Sequence, residues 1–269
     1  MLIKANKTYF SKKFLDSPEV SGRVHSVFDS AINLQFGKEI ITLISGIERG
    51  APDSVELSVR DFQSLKSTKV NELVLYKNKS FRIGLQYVSF GEAKNEDNFF
   101  TKCELAEANK IREKISSFGF HHTLPENAEV RLQRLVEAVE ENDCDTCSEI
   151  LQSTIGLGCG LTPSADDALL GITAVIEFMR LSNIQMMPDF PKIVYEISEN
   201  RTTDISRKYL LCALQKRFSL PLIQVVCSLL SDAKTVDFSA LAKLLNTGHS
   251  SGKDTLRGVF IAISRFLLK

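Results

Sequence analysis

The chain of 269 residues is long enough for one large domain or two ordinary ones, and its 43% hydrophobic and 25% charged content is that of a soluble globular protein. Its 33 basic residues balance 33 acidic ones, so no charge excess calls for nucleic acid or an anionic membrane surface as partner. The opening "MLIKANKTYFSKKF" carries lysines without a continuous apolar run, and nothing later approaches about 20 uninterrupted apolar residues, so the sequence reads as cytoplasmic. Six cysteines, mostly inside apolar runs such as "YLLCAL" and "VVCSLL", suit buried free thiols in a reducing compartment better than a disulfide framework.

From about residue 20 to 90 the apolar pattern has period two. "AINLQF" puts Ile32, Leu34 and Phe36 on one face, "SVELSV" does so with Val55, Leu57 and Val59, and "SFRIGLQY" with Phe81, Ile83, Leu85 and Tyr87. Turn-prone residues at Asp29-Ser30, Gly37-Lys38, Gly50 to Asp53 and Lys77 to Lys79 separate these strands closely enough for antiparallel hairpins and a barrel-like or sandwich-like sheet. The polar segment 89–115 then turns to a helical composition, which places a boundary near residue 100. The expectation is α+β: a β-rich domain over 1–100 and a mainly helical domain over 101–269. Helices are predicted at 102–117, 126–142, 144–154, 163–182, 191–199, 203–217, 219–232, 238–246 and 251–268. The helix at 163–182 is apolar on most sides and is predicted to be central and buried.

Three polar segments stand at predicted helix starts. In "GLGCGLTPSADDALLG", residues 156–171, Gly156, Gly158 and Gly160 alternate, and Thr162 or Ser164 is positioned to cap a helix whose first turn holds Pro163. Asp166 and Asp167 complement the helix dipole there by roughly 0.3 to 1 kcal/mol each, which capping alone explains. Yet a glycine-rich lead into a helix gathers unpaired N–H groups that cradle phosphate or carboxylate, and two successive aspartates on an apolar helix are costly to bury unpartnered. In "RTTDISRKYLL", residues 201–211, Thr202 or Thr203 caps a helix on which Thr203 and Ser206 share a face with Arg207 and Leu210. In "NTGHSSGKDTLRG", residues 246–258, Gly248, His249, Ser250 and Ser251 precede Lys253 and Asp254 in a first turn, a second anion-ready helix start. His249 has the chemistry of an acid, base or ligand, though a lone histidine is more often a simple hydrogen-bonding residue. His25 falls in a strand and His121-His122 between helices, where metal binding is a minor reading. "CDTC", Cys144 to Cys147, has redox or zinc spacing, but without a second pair it reads as two thiols on an amphipathic helix.

The first of these segments resembles the motif "GxGPGLTPSGDDxLxG" of a bacterial family of AllH-like proteins, subunits of oxamate carbamoyltransferase. "SGRVHSVFDSAINLQF", "APDSVELS", "TTDIS" and "GHSSGKDTLRGV" resemble that family's other blocks in the same order, so the likeness covers roughly residues 20–265. Cys159 stands where the family usually has Pro, and Ala165 where it usually has Gly. The resemblance implies a role in anaerobic ureide breakdown, from purines or allantoin, in which oxalurate and phosphate are exchanged for oxamate and carbamoyl phosphate by this chain together with other subunits.

The leading expectation is therefore an enzyme component with one small-anion site. Asp166 and Asp167 are its candidate catalytic groups, and Gly158, Gly160, Thr162, Ser164, Thr203, Ser206, His249, Ser250, Ser251 and Lys253 its candidate anion ligands. No metal ligand set is expected and the sequence names no cofactor. Two alternatives stay open: a non-catalytic assembly or ligand-binding subunit, and a stand-alone metal-assisted hydrolase that uses the aspartate pair.

Overall fold

A computed structural model describes residues 2–10, 19–46, 49–102, 104–116, 118 and 124–268. The chain divides into two compact units, Met1–Asn98 and Phe99–Lys269, the first built on strands and the second on helices. This is an α+β organisation with a curled half-barrel sheet followed by a helical region.

Ten strands form the sheet among the described residues: β1 (Leu2–Lys4), β2 (Lys7–Thr8), β3 (Val20–Val27), β4 (Ala31–Phe36), β5 (Glu39–Ser45), β6 (Ser54–Leu57), β7 (Leu73–Lys77), β8 (Ser80–Ile83), β9 (Gln86–Ser89) and β10 (Lys94–Asn95). Their order is β1-β9-β8-β7-β3-β4-β5-β6-β2-β10. Residues 2–8 account for the curl: β1 pairs with β9 on one side of the sheet and β2 with β6 on the other, so one short segment holds both sides. The concave face buries Val24, Ile32, Leu34, Leu43, Val55, Val74, Phe81 and Val88, and the short helix α1 (Val59–Gln63) inserts Phe62 among them.

The strand pattern departs from expectation at three places. "SFRIGLQY" is two strands: Gly84 turns the chain at φ +54, Phe81 and Ile83 are buried, and Leu85 is 91% exposed at the tip of the β8–β9 hairpin. Val59 does not continue β6 but opens α1, whose first turn is capped by Ser58 accepting from Asp61 N. Residues 50–53 lead into β6, which pairs with β5 in parallel rather than as a hairpin. The other face of β4 and β5 is buried as well, and there Asn33 donates to Ser26 Oγ (2.8 Å) and accepts from Thr42 Oγ1 (2.8 Å), which satisfies polar groups that burial would otherwise penalise.

The helical unit contains α2 (Ala108–Ser116), α3 (Glu126–Glu141), α4 (Cys144–Thr154), α5 (Ser164–Leu181), α6 (Phe190–Ser198), α7 (Asp204–Leu214), α8 (Leu220–Leu230), α9 (Phe238–Leu245) and α10 (Ser251–Leu267). Their starts follow local chemistry: Asp143 accepts from Thr146 N (3.0 Å), Thr203 from Ser206 N (3.1 Å) and Asp237 from Ala240 N (2.9 Å). No helix of the described residues is long and apolar enough to cross a membrane. His121 and His122 lie outside the described residues.

Helix α5 is buried on nearly every side, from Ser164 to Met179, and its closest neighbour is α10. Two glycines allow that contact. A Cβ on Gly171 would stand 2.0 Å from Thr255 O, and one on Gly258 would stand 1.8 Å from Ala168 O. The helix backbones therefore touch where any side chain would part them. This crossing sets the starts of α5 and α10 side by side.

Candidate functional site

The lead into α5 is a loop that only glycine can shape. Gly156, Gly158 and Gly160 have φ of +85, +131 and +89. A Cβ on Gly156 would meet Arg201 O at 1.9 Å, so the loop lies tightly against the lead into α7. Gly158, Cys159, Gly160 and Leu161 are exposed, and the backbone N–H groups from Gly158 to Thr162 donate to no acceptor among the described residues. Thr162 is not the expected cap. Pro163 occupies the N-cap position, without a side-chain hydrogen bond, and Ser164 is buried in the first turn. The Thr162 hydroxyl instead bonds Ser251 Oγ at 2.7 Å, which ties the start of α5 to the start of α10.

The two aspartates differ sharply. Asp166 is 2% exposed and saturated: Oδ1 accepts from Gly156 N (2.7 Å), and Oδ2 accepts from Ser206 Oγ (2.6 Å) and from the Thr202 hydroxyl. Burial pushes its carboxyl above the ordinary carboxylate value, against the pull of these three donors. Thr203 adds a second tie between the same segments, donating its hydroxyl to Leu161 O while capping α7. Asp166 thus joins the glycine loop to the start of α7.

Asp167 is 7% exposed, and its Oδ2 has no hydrogen-bond partner. Burial pushes its carboxyl up to about 8, the Ser251 and Thr162 hydroxyls pull the other way, and Asp254 and Asp166 add to the rise. At neutral pH it is largely a neutral acid. The third helix start completes the surroundings: Gly248 turns at φ +63, Ser250 is the N-cap residue of α10 without a side-chain cap, and Asp254 is fully buried one turn into the helix.

The three polar segments therefore meet, as the starts of α5, α7 and α10. Thr162, Ser251, Asp166, Asp167, Thr203 and Ser206 are brought together, with Gly158 and Gly160 in the loop above. His249 is exposed and Lys253 half-buried in the same α10 lead, and neither side chain makes a hydrogen bond among the described residues. Gly156, Thr202 and Asp254 also belong to the cluster, although the sequence singled out none of them as a ligand. Thr202 was legible only as a rival cap to Thr203, and nothing local distinguishes Asp254 from a dipole-complementing acid.

Other candidates fall elsewhere. Cys147 is buried in α4, and burial pushes its thiol up to about 12, so it is no nucleophile; Cys144 is exposed on the same helix. His25 shares a hydrogen bond with Ser26 Oγ in β3. Two open grooves, of about 580 and 270 Å³, lie at the α8–α9 junction and along Arg257 and Arg265, and neither is lined by a residue of the cluster. Ala165 sits in helical backbone, where alanine is preferred to glycine by about 1 kcal/mol, and Cys159 is exposed between two positive-φ glycines.

Two family models match the chain. One, described as the AllH family N-terminal domain, matches residues 4–95, within the strand-built unit. The other, described as oxamate carbamoyltransferase subunit AllH, matches residues 154–263 and so spans all three helix starts. No solved structure matches. The two models cover most of the chain between them, and the chain belongs to the AllH family.

Proposed function

We propose that this protein is a subunit of an oxamate carbamoyltransferase and that its helical unit binds a small anion, phosphate or the carbamoyl phosphate made from it, where α5, α7 and α10 begin. The family description supports the first half. The observation that carries the second is the convergence itself. Helix starts concentrate positive dipole ends and free N–H groups, and here the unbonded N–H groups of the 158–162 loop stand beside the Thr162–Ser251 hydroxyl pair. Carbamoyl transfer gathers negative charge on the carbonyl oxygen as phosphate attacks. Fixed N–H and hydroxyl donors stabilise such charge without having to reorganise.

In this reading Asp166 is a positioning residue, holding the glycine loop and α7 in place, while Thr162 and Ser251 contact the ligand. The other subunits implied by the family description complete the enzyme. The test is phosphate affinity and oxalurate phosphorolysis of the reconstituted enzyme carrying Ser251→Ala. A hydrogen bond to a charged ligand is worth about 1.5 kcal/mol or more, so affinity falls about tenfold, while loss of the Thr162–Ser251 bond lowers stability by only about 1 kcal/mol. A folded variant with unchanged phosphate affinity and unchanged turnover overturns the assignment.

A further inference from the structure

One carboxyl oxygen in the cluster is unexplained by the fold. Asp167 Oδ2 is buried and has no partner, while the Asp167 carboxyl as a whole is within reach of the Ser251 and Thr162 hydroxyls. Its neighbour Asp166 has every oxygen engaged, so the two adjacent carboxylates do not share a role. The charged groups acting on Asp167 are Asp254 from α10 and Asp166 from its own helix, both acidic. Lys253 of α10 and Asp204 of α7 stand in the neighbouring first turns, and His249 in the lead into α10. An ionised Asp167 would repel an anion bound beside it. A protonated one presents a donor to it.

Building on the anion site proposed above, we propose that Asp167 meets the ligand as an acid. Its Oδ2 hydroxyl donates a hydrogen bond to an anionic oxygen and, during carbamoyl transfer, carries one proton from the attacking phosphate to the departing nitrogen. The balance is complete. An oxygen of hydrogen phosphate bonds to the ureido carbonyl carbon of oxalurate, the bond from that carbon to the oxamate nitrogen breaks with its electron pair going to nitrogen, and the phosphate's proton ends on that nitrogen. Asp167 gives its proton to the nitrogen and regains one from phosphate, so it finishes as it began. A buried carboxyl that titrates near neutrality is matched to both halves of that exchange.

Inorganic sulfate is a suitable probe because it stays dianionic across the whole range. Its dissociation constant is measured calorimetrically between pH 7 and 9.5 on the full chain, wild type and Asp167→Asn. Wild-type binding is expected to weaken by up to about tenfold per pH unit above pH ~8, as the acid ionises, while the asparagine variant, which keeps a donor, binds with little pH dependence. In the reconstituted enzyme the same variant loses about a hundredfold or more in kcat, because an amide cannot exchange the proton. Parallel pH profiles for the two proteins, or full turnover by Asp167→Asn, overturn the role of Asp167. Wild type that binds no sulfate at any pH overturns the anion site itself.

Discussion

Asp166→Ala is expected to unfold the protein at a markedly lower urea concentration, by about 3 kcal/mol or more, and to abolish phosphate binding with it. The carboxylate accepts from Gly156 N, Ser206 Oγ and the Thr202 hydroxyl, and all of these lie in segments that are otherwise loops or helix ends. Removing it leaves the buried Ser206 hydroxyl and the half-buried Gly156 N–H and Thr202 hydroxyl without an acceptor, at a cost of about 1 kcal/mol each. It also frees a loop whose three positive-φ glycines have little tendency to hold one conformation. Asp166→Asn separates charge from geometry. The hydroxyls of Thr202 and Ser206 can rotate to accept from an amide, so this variant folds with a smaller loss of about 1 to 2 kcal/mol. Urea denaturation of the three proteins reads the difference, and an alanine variant as stable as wild type would remove Asp166 from its positioning role.

Asp167→Asn is expected to do the opposite. The carboxyl titrates at about 8 in the folded protein against 3.8 when free, so between those values the folded state holds a proton that the unfolded state has released. Stability supplied by the protonated form is complete below pH ~4 and is lost as pH rises toward 8, at about 1.4 kcal/mol per unit. The sum, roughly 6 kcal/mol, is an upper bound, because local opening that lets water reach Asp167 limits the penalty. Asparagine carries no such dependence. Urea denaturation at pH 5, 7 and 9 should therefore show the variant gaining steadily on wild type and exceeding it by several kcal/mol at pH 9. A constant difference across that range would mean that Asp167 ionises freely.

Much of the helical unit was legible because helix starts and stops are local. Asp143 announces α4 and Asn142, in the left-handed region, ends α3. The hairpin at Gly84 was not, because the alternation of Phe81, Ile83, Leu85 and Tyr87 runs across a two-residue turn without a break in its apolar pattern. The cluster was half legible. Small polar residues before apolar helices marked all three segments, yet what each group does depends on partners far along the chain. Asp166 finds its hydroxyls 36 and 40 residues away, and Thr162 finds Ser251 at 89. No local rule says which of two adjacent aspartates is saturated, or that Thr162 leaves its capping position to bridge to another helix. Asp254 was passed over for the same reason: its burial follows from the close crossing of α5 and α10 at Gly171 and Gly258.

The central claim is that the starts of α5, α7 and α10 form one anion site with Asp167 as its acid. A crystal structure of the full chain with phosphate, determined below pH 7, tests it most directly. The expected result is phosphate within hydrogen-bond distance of Asp167 Oδ2, the Ser251 hydroxyl and the N–H groups of the 158–162 loop. Phosphate bound elsewhere, with that oxygen still unpartnered, would contradict it.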